Sequence, residues 1–359
     1  MHFSQVLSST LLLLTSATAA VAAPIEERTT CKDLAVRKEW RTLSEAERLE
    51  YIGAVKCLMS LPAQTGDFFA GAKTRYDDFL ALHINSTDYV HFNGPFLPWH
   101  RWLLKLWEDE LRNTCGYTGY QPWWDLLADN TIEGYPASPL FDDVYGMGGN
   151  GPYVEYVNDT SIFPVTTPTE IPGRTGGGCV ATGPFANLTI NMGMGLDLSY
   201  NPHCMRRDFS PLLVSEAFSD ANYAAALASE NFQELNLNIQ GYSFEISGMR
   251  LHAGLHIGVG GQVGDQADMW SSPGDPIFWF IHSSLDRLWN NWQRECWNER
   301  KTEIMGPDTM FAYPFNFFGD IPYTNITLDY ELEYEHFGSN VRIGDIMDVE
   351  ASNLCYTYE

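Results

Sequence analysis

The chain opens on an apolar run and then alternates helical stretches with long polar gaps. Residues 7–23 are apolar or small, leucine is continuous over 11–14, and Ala20-Val21-Ala22-Ala23 stands before Pro24. The run is too short to span a bilayer, and small residues at its end have the form of a signal-peptide cleavage site, although no Lys or Arg precedes it. The expectation is a signal peptide over 1–23 and a secreted mature chain from about residue 24. Ser44 then reads as a helix N-cap, with Glu45 and Glu47 in the first turn. Leu49, Ile52, Val55 and Leu58 follow at helical spacing until Pro62 stops the helix. A second helix is predicted over 66–82. A third, over 98–113, puts Trp99, Leu103, Leu106 and Trp107 on a wide apolar face, with Gly116 after its end. Over 126–211 the periodicity is lost: Gly, Pro, Asn and Thr dominate, and the stretch reads as a long irregular region. Its glycine clusters neither follow a strand nor open a helix, so a phosphate cradle has little support. Helices resume over 215–238 and 245–257. Asp275-Pro276 supplies an N-cap and a first-turn proline for a last helix running to about Trp297. The pattern is mainly α, with four or five helices set in long loops.

Composition narrows the class. With 45% hydrophobic residues and 11 Trp the chain can bury a large core, and the length after residue 23 allows one large domain or two small ones. A formal charge of −25 argues against nucleic acid and anionic membrane as partners. No later stretch is apolar enough to span a membrane. All seven cysteines (Cys31, Cys57, Cys115, Cys179, Cys204, Cys296 and Cys355) follow the apolar run, and none forms a CxxC pair. In a secreted chain they are disulfide candidates with at least one left over, and the sequence does not give the pairing. Asn85, Asn158, Asn187 and Asn325 stand in N-x-S/T sequons and are expected N-glycan sites.

The histidines carry the chemistry. Of the eight beyond the apolar run, six form two triplets: His83-x7-His91-x8-His100 and His252-x3-His256-x25-His282. His252 and His256, four apart on a predicted helix, share one face and can share one metal. His282 comes from the next helix. His83 ends the second predicted helix, His91 lies in the loop, and His100 starts the third. Any one histidine is more often structural; two triplets on helix pairs point to two metal sites. All-imidazole sets suit copper, zinc, iron or nickel. His252-Ala253-Gly254-Leu255-His256 lacks the Glu that a zinc protease needs after its first histidine. A non-haem iron site would want a carboxylate. Two three-histidine sites suit a coupled copper pair that binds dioxygen. His203 and His336 have no partner pattern and read as non-ligands.

Phe96-Leu97-Pro98-Trp99-His100-Arg101 resembles the copper A signature of tyrosinases and catechol oxidases. The stretch from Asp275-Pro276-Ile277-Phe278-Trp279-Phe280-Ile281-His282 to Asp286-Arg287 resembles their copper B signature. Gln121-Pro122-Trp123-Trp124-Asp125 is similar to the segment after the copper A helix, and Tyr356-Thr357-Tyr358 to the tyrosine motif that closes the catalytic domain. The likeness runs from about Cys31 to Tyr358 and is nearest to short secreted fungal members. It implies a four-helix bundle around a dinuclear copper centre, with long irregular loops and few short strands. It also implies one catalytic domain over 24–359, two copper ions, and small phenolic substrates oxidised with dioxygen. Ile281 replaces the first of two adjacent histidines common in copper B; the aligned ligand is His282. No Cys lies between Cys57 and Cys115, so the Cys–His thioether of many members is not expected. The chain ends at the tyrosine motif, so no C-terminal shielding domain is expected.

The family also frames the substrate. A polar residue after the first copper B histidine, with a Glu holding a water, favours monophenols; here that position is Ala253, which favours o-diphenols. Glu245 is the candidate carboxylate, on the His252 helix face but about 10 Å along the axis, or else a first-turn acid. Asp286 could accept a hydrogen bond from a ligand imidazole, or pair with an Arg. Phe278 could stack on substrate, or pack in the core. The expected activity is oxidation of o-diphenols to o-quinones. Tyrosinase and o-aminophenol oxidase are enzyme alternatives, a two-zinc hydrolase a more distant one, and a haemocyanin-like dioxygen carrier the rival from another class.

Overall fold

A computed structural model describes residues 31–156, 170–351 and 353–359. The expected signal peptide and the acceptor Asn158 lie outside the described residues. Helix α1 (Glu45–Ser60) starts as its cap demands. The Ser44 hydroxyl accepts from the Glu47 N–H while the Glu47 carboxylate accepts from the Ser44 N–H, a reciprocal capping box. Ile52, Val55 and Leu58 are buried as predicted, but Leu49 is exposed and Tyr51 takes the buried place.

The second helix is shifted. α2 spans Arg75–Val90, not 66–82, because Thr74 and Asp77 form their own capping box. The buried Asp78 carboxylate accepts from the backbone of Gln64 and Thr65 and so holds the preceding loop in turns. The shift places His83 inside α2 and makes His91 its C-terminal cap residue. α3 spans Phe96–Cys115 and ends on Gly116, whose φ of 70° is left-handed and whose N–H donates to the Leu111 carbonyl.

The predicted helix over 215–238 is three short helices, α4 (Pro211–Ala217), α5 (Asp220–Leu227) and α6 (Phe232–Gln240). Ser210, Ser219 and Asn231 each accept an N–H of a new first turn, so local capping overrides the continuous apolar pattern. The stretch predicted helical over 245–257 also divides. A 3-10 turn at Ile246–Gly248 gives way to extended Met249 before α7 (Leu251–Gly260) begins. α8 (Ile277–Glu295) starts one residue later than predicted, with Pro276 rather than Asp275 as its cap residue, while the Asp275 carboxylate accepts from the Ile277 N–H and pairs with Arg207; α9 (Trp297–Arg300) is one turn.

Helices α2, α3, α7 and α8 form the bundle. The Trp107 ring of α3 stacks on Trp279 of α8 with centroids 3.9 Å apart, and Phe79 of α2 meets both edge-on. α7 presents two glycines to α4. A Cβ on Gly254 would lie 2.2 Å from the Ala217 Cβ, and one on Gly258 2.3 Å from a Val214 methyl. Their spacing puts them on the face away from His252 and His256, so close helix packing at the back sets the imidazoles at the front.

Strands are short. β1 (Ala35–Arg37) pairs in parallel with β6 (Tyr356–Tyr358), β2 (Thr189–Ile190) with β3 (His203–Cys204), and β4 (Glu331–Leu332) with β5 (Val341–Arg342). Three disulfides, Cys31–Cys355, Cys57–Cys115 and Cys179–Cys204, tie the chain ends, α1 to α3, and the irregular region; Cys296 is free and exposed. No helix among the described residues is long and apolar enough to cross a membrane.

Candidate metal centre

The bundle brings the six predicted histidines into two buried triads. His83, His91 and His100 form one and His252, His256 and His282 the other, each offering ring nitrogens within 4.8 Å of one another. The triads adjoin: His100 stacks on His282 with centroids 4.1 Å apart, and His91 lies 5.8 Å from His252.

Backbone carbonyls orient the rings. Nδ1 of His83 lies 2.7 Å from the Trp270 carbonyl, Nδ1 of His91 3.0 Å from that of Thr87, and Nδ1 of His100 2.8 Å from that of Phe96. Nδ1 of His256 lies 3.0 Å from the carbonyl of Gln266. A carbonyl only accepts, so each Nδ1 carries the proton and each Nε2 keeps its lone pair. At three of the six rings a buried nitrogen also lacks a protein partner. Nε2 of His83, Nε2 of His100 and both ring nitrogens of His252 have no hydrogen bond. An unpaired buried nitrogen is costly, and four in one cluster mark a site built for something else to bind.

Burial also keeps the rings neutral. It lowers His91 to about 3 and His256 to about 4, and holds His83, His100, His252 and His282 well below the ordinary histidine range. Six neutral imidazoles without a carboxylate form a donor set that fits two copper ions, one per triad.

Phe278 is fully buried, 4.2 Å from His282 and 5.1 Å from His83 between ring centroids, and does not line the cleft that reaches the centre. It packs the triads together rather than meeting substrate. Phe96 does the same from α3, touching His91, His100, His252 and His282. Phe96 opens the motif that holds His100, and its place four before that histidine lets its carbonyl orient the ring. The other orienting carbonyls carry no signal, because any residue type supplies one.

Of the two readings open for Asp286 the pairing with Arg holds, and Glu245 takes neither of its expected roles. Glu245 is an exposed residue before the 3-10 turn, not on α7 and not in the cleft. Asp286 bonds no histidine. Its carboxylate accepts from Arg101 Nε at 2.5 Å and from the hydroxyls of Tyr356 at 2.5 Å and Tyr358 at 2.6 Å, with Arg37 3.6 Å away. Burial alone would raise this carboxyl; the charges of Arg101 and Arg37 outweigh it and hold it below the usual range. The tyrosine motif is thus anchored to α8 through a buried ion cluster. His203 pairs with Asp265 at 2.7 Å and His336 stacks on Phe68 at 3.7 Å, and neither belongs to a triad. Asn85, Asn187 and Asn325 are exposed.

The cleft opens to solvent. His91, His252 and His256 lie at its floor, with Ala253, Phe92, Phe244, Met249 and Trp270 among its walls.

The common central domain of tyrosinase matches residues 73–295, which hold both triads. The chain is 34% identical to N-acetyl-6-hydroxytryptophan oxidase ivoB of Emericella nidulans, over 96% of this chain and 100% of that protein. It is 32% identical to tyrosinase P of Aspergillus terreus, over 97% and 98% of the two chains. A solved structure of a mutant polyphenol oxidase from Thermothelomyces thermophila superposes with a TM-score of 0.78 at 32% identity, covering 91% of this chain and 89% of that one. Likeness this extensive, along the same helices that carry the histidines, means that the chain belongs to the tyrosinase family.

Proposed function

We propose that the protein is a secreted catechol oxidase that converts o-diphenols to o-quinones with dioxygen. Copper held by His83, His91 and His100, and by His252, His256 and His282, would supply dioxygen binding and electron transfer to it. The rest falls to the chain. Carbonyls of Thr87, Phe96, Trp270 and Gln266 fix the imidazole tautomers, which keeps the open positions in place without reorganisation. The mostly apolar lining of the cleft favours a phenolic ring and leads it to His91, His252 and His256.

The observation that carries the diphenol preference is the cleft wall beside His252. The Ala253 side chain offers no hydrogen bond, and among the described residues no Asp or Glu lines the cleft. Asp268, the nearby acid in sequence, has its carboxylate bound by the N–H groups of Gly195, Trp270 and Ser271. An o-diphenol gives up two electrons and two protons without any new C–O bond. Hydroxylating a monophenol demands in addition a phenolate held in one orientation, and among the described residues the lining offers no carboxylate base, its hydroxyls being those of Ser243 and Ser272. Disulfides among the described residues, with the apolar N-terminal run, support an oxidising, extracellular setting and N-glycans at the exposed sequons.

The test is oxygen uptake by the copper-loaded protein on catechol, a monophenol and an o-aminophenol side by side. Turnover of catechol with no more than trace monophenol oxidation is expected. Rapid monophenol turnover without a lag would overturn the preference.

A further inference from the structure

We infer that the cleft carries an aromatic subsite, walled by Phe92 and Phe244, that selects uncharged phenols bearing a second aryl ring. The inference rests on the phenol-oxidase reading and names the substrate class that reading leaves open.

Phe92 follows His91 directly and lines the cleft together with Phe244, their ring centroids 5.5 Å apart. Behind them stand rings from a later stretch. Phe311 lies 5.2 Å from Phe92, and Phe317 5.2 Å from Phe92 and 4.9 Å from Phe244. Phe318 lies 5.0 Å from Phe311 and is 63% exposed. An unbroken tract of rings therefore leads from the triad floor to solvent. Core packing alone does not explain a tract that ends in water and lines a cleft.

The tract is held in a strained backbone. Phe92 has φ 49° and Phe311 φ 61°, a left-handed region that bulky residues rarely adopt. The Phe311 N–H donates to the Phe92 carbonyl at 3.0 Å, and the Phe92 N–H donates to Gln240 Oε1 at 2.5 Å. Gln240 is itself buried and bonded to Asn93 and Asn236. Strain persists where surrounding bonds over-determine it, and such places cluster at ligand clamps. Here the result is a Phe92 ring fixed at the cleft wall beside a metal-site residue.

Shape and charge define the occupant. The cleft is mostly apolar and opens to solvent beyond the histidines, so the space outward of a reacting ring is not closed off. With the reacting ring at His91, His252 and His256, the next ring outward meets Phe92 and Phe244. Among the described residues no Lys or Arg lines the cleft, and the chain carries a formal charge of −25, so an anionic substituent is disfavoured there.

The experiment compares kcat/KM of the copper-loaded protein for 4-phenylcatechol, its ring-sulfonated analogue, and catechol. A preference of about tenfold or more for 4-phenylcatechol over catechol is expected, with the sulfonated analogue losing it. F244A should bring the ratio most of the way to unity, while F244L, which keeps the bulk but not the ring, should reduce it in part. F68A, at a surface stack remote from the cleft, should leave the ratio unchanged. A ratio near unity in the unaltered protein, or one that F244A does not move, overturns the inference. Calorimetric binding of biphenyl-4-methanol against benzyl alcohol, neither oxidisable at a phenol, separates the two claims. Preference for the biphenyl without catechol turnover upholds the subsite and defeats the oxidase reading. Catechol turnover without that preference does the reverse.

Discussion

Replacing Asp286 with Asn tests whether this carboxylate is a structural anchor or an orienting partner of a metal-site histidine. The substitution keeps shape and removes charge. In the native protein the carboxylate accepts from Arg101 at 2.5 Å and from Tyr356 and Tyr358 at 2.5 Å and 2.6 Å, and both Arg37 and Arg101 are fully buried. Breaking a buried ion pair costs about 3–5 kcal/mol, because the remaining charge stays buried without a counter-charge. Arg37 would retain Glu108 at 3.0 Å, and Arg101 would retain Gln293 and the carbonyls of Ile346 and Met347, so the lower end, about 3 kcal/mol, is expected. At about 2 °C per kcal/mol for a chain of this size, Tm should fall by about 6 °C. Calorimetry reads that fall, and elemental analysis below the new Tm should still find the native copper content. The acid side gives a second check. The folded carboxyl is held below its ordinary value by Arg101 and Arg37, so its contribution is present above the ordinary Asp pKa of about 4 and is lost as pH falls through the folded value. D286N should therefore lose less stability on acidification than the unaltered protein. A Tm within about 1 °C of the unaltered protein together with lost copper would refute this reasoning and restore the imidazole-orienting role.

Three further outcomes follow from other parts of the structure. H256A removes one donor from the second triad and leaves the Gln266 carbonyl without its partner, so copper should drop from two toward one per chain, and the Tm gain seen on copper loading should shrink; two coppers per chain with an undiminished gain would defeat the dicopper assignment. Burial tends to lower His203, but its bond to Asp265 outweighs that and leaves it raised, so the pair stabilises fully below the ordinary histidine pKa of about 6.5 and the contribution fades as pH rises through the folded value. H203Q should flatten that slope by at most about 1 kcal/mol, the group being partly solvated; urea titrations across the range read it, and parallel slopes in the two proteins would speak against the pair. Cutting the Cys57–Cys115 bridge by the double change C57S and C115S frees a chain segment with a sequence separation of 58, which the chain-entropy estimate values at about 4 kcal/mol; an unchanged denaturation midpoint would show that the unfolded chain gains little freedom there.

The donor set was legible in the sequence for a definite reason. Coordination chemistry restricts the residue types, and helical geometry restricts the spacing, so His252-x3-His256 and the flanking motifs survive as pattern. The cap was legible where the reciprocal bonds are local, as at Ser44 with Glu47. The same local chemistry explains the boundaries that were missed. Thr74 and Asp77 begin α2 later than the apolar pattern suggested, and Ser210, Ser219 and Asn231 cut one predicted helix into three.

What the chain alone determined is therefore the set of six imidazoles, the mainly helical class, and the family. What only the tertiary structure decided is what surrounds them. Asp286 meets Arg101 and the closing tyrosines rather than His282, Glu245 stays outside on an exposed turn, and Phe278 packs behind the triads instead of facing substrate. Phe92 and Phe244 become one wall only because chain segments far apart in sequence bring their rings together, with those of Phe311 and Phe317 behind. Ligand identity is written in residue type and short spacing. Orientation and cleft shape depend on backbone carbonyls and long-range contacts, which have no signature until the chain is folded.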